Sequence, residues 1–121
     1  MKTPARSFKE LIVCQKAHQF VLEIYRYTRG FPADERFGLT SQIRRAAVSV
    51  PANIAEGFPK RSTNDKTRFF NIAQGSLEEV HYYLILANDL GYGDPAKLFL
   101  SYQEVGKLLN GYITAILTPD S

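Results

Sequence analysis

Apolar residues recur at helical spacing in four separate stretches of this chain, and turn-forming residues close off each stretch. In the first stretch, Val13, Ala17, Phe20, Val21, Ile24 and Thr28 fall on one face. Ser7 and Glu10 fit a capping box, in which each side chain answers the other residue's orphan backbone N–H, so this helix is expected to open at Ser7. Gly30 and Pro32 close it, since glycine tolerates a left-handed cap and proline resists continuation. The second helix is expected to begin near Thr40 or Ser41 and to turn Ile43, Ala46, Ala47, Val50 and Ile54 to one side. Pro51 lies inside it, where it removes one backbone hydrogen bond and crowds the Ala47 carbonyl; this predicts a kink rather than a break. The third helix follows the caps Ser62-Thr63-Asn64-Asp65. It is expected to turn Phe69, Ile72, Ala73, Ser76, Leu77, Val80, Tyr83, Leu84 and Ala87 inward and to end at Gly91. The fourth opens on Asp94-Pro95 and carries Leu98, Tyr102, Val105, Leu109, Tyr112, Ile113 and Ile116 as one stripe. No segment holds a period of two for a useful length, so strands are not expected. The predicted fold class is all-α: one domain over 1–121, an antiparallel up-down-up-down four-helix bundle with short loops.

One apolar stripe is enough for a helix in a monomeric bundle. The second helix has more, because Val48, Pro51 and Ala55 widen its arc. On the third helix Tyr82 and Leu86 stand off the stripe, beside Gly75, which would let another backbone come close. Phe8, Leu11 and Ile12 lie off the stripe of the first. Such surface calls for a partner, and the simplest is a second copy of the chain. The alternative is coverage by loops and the N-terminal arm of the same chain.

Size and composition bound the rest. A chain of 121 residues, 45% hydrophobic, can bury a core without metal or disulfide staples. Cys14 is the single cysteine, so no intrachain disulfide can form, and its place in an apolar pattern suits a small core filler. The opening MKTPARSFKE lacks the apolar run of a signal peptide, and no stretch approaches the ~18 apolar residues of a membrane span, so the expected location is cytoplasmic. A net charge of +3 and a pI near 9.1 permit nucleic-acid contact without demanding it.

The second helix also carries a resemblance. Residues 37–57, FGLTSQIRRAAVSVPANIAEG, resemble the signature of the four-helix-bundle proteins known as 23S rRNA intervening-sequence proteins. Phe8-Lys9-Glu10-Leu11 with Gln15-Lys16-Ala17 is similar to that family's opening, Ile72 to Glu79 to its third-helix motif, and Leu90-Gly91-Tyr92 to its next turn. Cys14 departs from a position that is commonly aromatic in the family. The resemblance implies a homopentameric ring, and members that mostly have no established activity. It also implies genes that sometimes lie within inserts of large-subunit ribosomal RNA genes. A related bundle protein is an accessory factor for the reverse transcriptase of diversity-generating retroelements.

Two readings compete for the polar residues. In the first, Arg45, Ser49, Asn53 and Glu56 form a structural network that sets helix register, and Arg44, placed among Val48, Pro51 and Ala55, takes Glu56 or Glu79 as its carboxylate partner. On this reading the candidate oligomer interface comprises Arg44, Val48, Pro51, Ala55, Gly75, Glu79, Tyr82 and Leu86. In the second, Arg44, Arg45, Lys60, Arg61, Lys66 and Arg68 form a basic surface that neutralises phosphates without reading sequence, repeated by symmetry in a ring. Interleaved Glu56, Asp65 and Glu79 favour an ordinary solvated face instead.

Catalytic candidates are few. Glu78 and His81 have the Glu-x-x-His spacing of di-iron bundles, but His18, the other histidine, has Gln15 three residues before it, so no second copy exists. No Gly-x-Ser-x-Gly elbow, P-loop or dinucleotide fingerprint is present, and Tyr83, Tyr102 and Tyr112 fall on core stripes. The expected function is therefore a non-enzymatic oligomeric scaffold that engages RNA or DNA. The alternatives are a protein-interaction adaptor and, more distantly, an enzyme with an intersubunit site. The expected partners are the chain itself and nucleic acid, with no membrane, metal, cofactor or small-molecule substrate.

Overall fold

A computed structural model describes residues 4–118; of the expected domain 1–121, residues 1–3 and 119–121 lie outside the described ones. It contains α1 (Ile12–Thr28), α2 (Leu39–Gly57), α3 (Thr63–Asp89) and α4 (Ala96–Leu117), with short 3-10 turns at Phe8–Glu10 and Ala33–Glu35. Among the described residues there is no strand.

The start of α1 differs from the expected capping box. Ser7 Oγ accepts from Lys9 N at 3.3 Å, and Glu10 accepts from Arg6 N. These bonds build the 3-10 turn instead of a helix. Leu11 then adopts an extended backbone, φ −73 and ψ 125, and α1 begins at Ile12. The break lets Leu11 reach the core, where it is buried, while Phe8 and Ile12 stay exposed. Val13, Ala17, Phe20, Val21, Ile24 and Thr28 are all buried, as the periodicity predicts.

Glu35 explains why α2 opens at Leu39, a residue earlier than expected. Its Oε1 accepts from Leu39 N at 3.2 Å and its Oε2 accepts from the Tyr92 hydroxyl at 2.8 Å. A carboxylate at this end meets unpaired N–H groups and the positive end of the helix dipole. The Tyr92 bond, followed by the Leu39 bond, holds the Glu35 carboxyl below its ordinary pKa. The helix runs on through Pro51 to Gly57, burying Ile43, Ala46, Ala47, Val50 and Ile54.

On α3 the buried stripe is Phe70, Ala73, Leu77, Val80, Leu84 and Ala87. Here the expectation of an inward Phe69 and Ile72 fails. Phe70 is buried, Ile72 is exposed, and Phe69, Ser76 and Tyr83 are half-buried. The sequence offers two seven-residue ladders one position apart, Phe70-Leu77-Leu84 and Phe69-Ser76-Tyr83. Only the first centres on the core. The C-terminus follows expectation: Gly91 has φ +79, Tyr92 N donates to Ala87 O at 2.9 Å, and Gly91 N donates to Asn88 O at 3.0 Å, a full Schellman motif. Asp94 caps α4 through Ala96 N at 3.0 Å, so the helix begins one residue past Pro95. Leu98, Val105, Leu109 and Ile113 are buried, with Tyr102, Tyr112 and Ile116 packed at their edge.

Residue pairs across neighbouring helices run in opposite order. Gln42 bonds Tyr83, Ser49 bonds Ser76, and Gly57 meets Phe69 between α2 and α3. Lys16 pairs with Glu104, Glu23 with Ser101 and Tyr27 with Gly93 between α1 and α4 or its leading loop. Phe70 meets Tyr112 edge-on, and His81 meets Phe99, between α3 and α4. At the α2–α3 seam Gly57 is needed for space: a Cβ there would lie 2.8 Å from Phe69 Cβ and 3.1 Å from Phe70 Cε1. Phe69 Cβ is fixed to the α3 backbone and cannot rotate away. Gly57→Ala is expected to destabilise the fold by about 1–3 kcal/mol, an overpacking penalty readable as a lower urea midpoint.

Candidate nucleic-acid and assembly surfaces

The α2–α3 seam is stitched by a short polar chain. Ser76 Oγ bonds Ser49 Oγ at 2.8 Å, and Asn53 Nδ2 donates to Ser49 O at 2.8 Å and to Ser49 Oγ at 2.9 Å. The expected network of Arg45, Ser49, Asn53 and Glu56 is thus half formed. Arg45 and Glu56 are exposed and outside it, and Ser76 of α3 takes the remaining place. Ser49 and Asn53 are four residues apart and face α3. Arg45 and Glu56 lie roughly 20–80° further round the helix, towards solvent.

Arg44 does not take a carboxylate. Its Nε donates to Thr28 Oγ1 at 2.8 Å, its Nη2 to the Tyr25 carbonyl at 3.4 Å, and its guanidinium sits 4.4 Å from the Tyr25 ring centroid. The buried Thr28 hydroxyl in turn donates to Ile24 O at 2.8 Å. Arg44 is therefore a clamp between α1 and α2, because residues at this angle on α2 face α1. Glu79 accepts from the Tyr83 hydroxyl at 2.7 Å instead, a bond that raises the Tyr83 pKa above its ordinary value. A phenol has one proton. Gln42 Oε1, 2.9 Å from the same oxygen, is its alternative acceptor.

The six predicted cations split in two. Arg44 and Arg45 lie near the start of α2, while Lys60, Arg61, Lys66 and Arg68 surround the α2–α3 turn. The helix rises about 20 Å from Arg44 to its end at Gly57, and Lys60 lies beyond that end. At the turn, cations and rings interleave: Lys60 Nζ is 5.3 Å and Arg68 Cζ 5.0 Å from the Phe69 centroid, and Lys66 Nζ is 5.5 Å from that of Phe58. Each is within cation–π range, which orients long side chains without neutralising them. Among the described residues the one Lys or Arg ion pair is Lys16–Glu104 at 3.7 Å, and His81 lies 3.8 Å from Glu78, so neither contact involves this turn. Sequence reasoning placed Phe69 in the core and overlooked the ring platform; Phe58 beside Pro59 was the available signal.

The predicted interface residues also occupy two faces. Val48, Pro51 and Ala55 line one wall of an apolar groove between α2 and the N-terminal part of α1, about 500 Å³, closed opposite by Phe8 and Cys14. Gly75 and Tyr82 lie on the outer side of α3, where Tyr82 is 58% exposed and a Cβ on Gly75 would meet nothing within 4 Å. Leu86 is half-buried and packs on the core.

Reactive groups are muted. Burial raises the Cys14 pKa, which keeps the thiol protonated near neutrality. Tyr102 stacks on His81 with centroids 4.3 Å apart and bonds Glu78; burial first, then that bond, push its hydroxyl up to about 12. Among the described residues no three of His, Cys, Asp and Glu gather around one point, and no helix is long and apolar enough to cross a membrane.

These features define a small all-α protein of four helices with two dissimilar faces and a cationic turn. A chain of known structure shares the fold. A protein of unknown function from the S23 ribosomal protein family of Bacteroides thetaiotaomicron superposes with a TM-score of 0.76 at 26% identity, covering 86% of this chain and 100% of that one. The chain belongs to the 23S rRNA-intervening sequence protein family, whose sequence model matches residues 9–111. No curated protein matches it.

Proposed function

We propose that this chain is a non-enzymatic scaffold that assembles with copies of itself and carries RNA on the α2–α3 turn. The observation behind this reading is the cluster of Lys60, Lys66 and Arg68 on Phe58 and Phe69, with exposed Arg61 beside it and no carboxylate in ion-pair reach among the described residues. Such a surface suits backbone phosphates, and its rings add contact area without demanding a sequence. RNA is the favoured nucleic acid because the family model carries the name of a 23S rRNA intervening sequence.

Assembly follows from two unlike faces. A ring needs a heterologous contact, in which one surface of a protomer meets a different surface of the next. The apolar groove of Val48, Pro51 and Ala55 supplies one surface, and the Gly75 and Tyr82 side of α3 supplies the other. Ser76 stands opposite Ser49, so Gly75 lies close to level with Pro51, which favours closure over a spiral. Five copies is the number that the family resemblance implies.

The test is fluorescence anisotropy of a labelled structured RNA across a salt series. Affinity is expected to fall steeply with salt, and each cation replaced among Lys60, Arg61, Lys66 and Arg68 by glutamine should flatten the log–log slope by about 0.7–0.9. Affinity that is absent at low salt, or indifferent to salt, would sink the reading and leave the protein-adaptor alternative.

A further inference from the structure

A second surface, apart from the basic turn, has the donors and acceptors for one kind of base. Between α2 and α3, on the outer side of the Ser49–Ser76 bond, lies a polar hollow of about 440 Å³. This is within the size range that holds small ligands. Arg45 projects from α2 on one side and Glu79 from α3 on the other, both exposed and not ion-paired within reach of each other. Gln42, Ser49 and Tyr83 also line it. At its edge stands Phe37, 89% exposed, with Arg36 Cζ 5.3 Å from the ring centroid. Phe37 is the most exposed of the large apolar residues among the described ones, and the ring face that Arg36 does not take can cover a planar ligand.

Opposite charges held apart on facing helices select a ligand that offers donors on one edge and acceptors on the next. A simple anion is repelled by Glu79 and a simple cation by Arg45. We propose that this hollow binds a guanine base. Guanine's N1–H and N2–H2 lie side by side and match a carboxylate, while its O6 and N7 match an arginine fork. The Tyr83 bond leaves lone pairs on both Glu79 oxygens, because each carboxylate oxygen can accept more than one donor. Tyr83 also holds the carboxylate in place, and the Ser49–Ser76 bond fixes the distance between the two helices that carry the charged groups. Adenine offers an acceptor, N1, where guanine offers a donor, so Glu79 rejects it. Phe37 supplies a stacking surface of the kind that unpaired bases use.

The base can come from a free nucleotide or from an unpaired position in RNA, and two arms separate these sources. In the first, guanosine and adenosine monophosphate are titrated into the protein by calorimetry. In the second, two single-stranded RNAs differing only by a guanine-to-adenine change are compared at fixed salt. A guanine preference of about tenfold or more is expected in at least one arm. If it is present with nucleotides, the site is a nucleotide site; if only with strands, it reads RNA. Glu79→Gln should erase the preference, and Arg45→Ala should weaken guanine binding while leaving the melting curve in place, since both side chains are exposed. Equal binding of guanine and adenine probes in both arms, or a preference that survives Glu79→Gln, overturns the proposal. Salt-dependent RNA binding without base preference would count against the hollow alone. A guanine preference without salt-dependent RNA binding would count against the basic turn alone.

Discussion

Phe70→Ala is expected to lower the unfolding free energy by about 3–5 kcal/mol, the largest loss from any single truncation considered. Phe70 is fully buried and meets the Tyr112 ring edge-on, with centroids 5.2 Å apart at 70°. Its ring also fills the space beside Gly57. Alanine removes the apolar transfer energy and leaves a cavity that helices held by the Ser49–Ser76 bond cannot readily close. The urea midpoint should fall with the slope unchanged, and the melting temperature should drop by roughly 10–20 °C at a fixed protein concentration. Phe69→Ala is the control, because Phe69 is half-buried and carries Lys60 and Arg68 on its faces. It should cost clearly less stability and affect RNA binding more. Equal losses from the two variants would contradict the register of α3 described above.

The second large effect concerns assembly. Val48→Glu is expected to convert the oligomer into monomers at micromolar concentration, as read by light scattering. Val48 is 41% exposed in the protomer, so a carboxylate there stays hydrated in the monomer and helix content should not change. In the assembly it would be an unpaired charge pressed into an apolar groove, which is costly without a partner. RNA affinity should fall with it, by about 10²–10⁴, because linked copies of a weak phosphate site gain avidity only while they are joined. Arg61→Gln should do the reverse: the mass stays the same and binding weakens modestly. A wild-type protein that is already monomeric, or a Val48→Glu variant of unchanged mass, would remove the groove from any assembly role.

Much of the helical organisation could be read from the chain. Caps and punctuation did well wherever the interaction was local, as at Ser62, Gly91 and Asp94. They failed at Ser7, where burying Leu11 outweighed a capping box worth about 1 kcal/mol. The candidate site was less legible. Arg44 and Arg45 are sequence neighbours about 100° apart on the helix. One therefore faces Tyr25 and Thr28 of α1 and the other opens on the hollow beside α3. Glu35 drew no attention because its two partners, Leu39 and Tyr92, are separated by a whole helical hairpin.

By itself, then, the sequence determined four helices, their ends to within a few residues except at the start of α1, the inward faces of α1, α2 and α4, and the unusual breadth of the apolar arc on α2. These follow from hydrophobic period and capping chemistry, which act over a few residues along the chain. Only the tertiary structure decided which of two ladders on α3 is buried, what Arg44 grips, and that the apolar arc faces α1 rather than α3. It also divided the six cations between two ends of one helix. Those outcomes depend on how helices are rotated against one another, and that rotation is set by contacts such as Gly57 against Phe69 and Ser49 against Ser76, whose partners lie far apart in sequence.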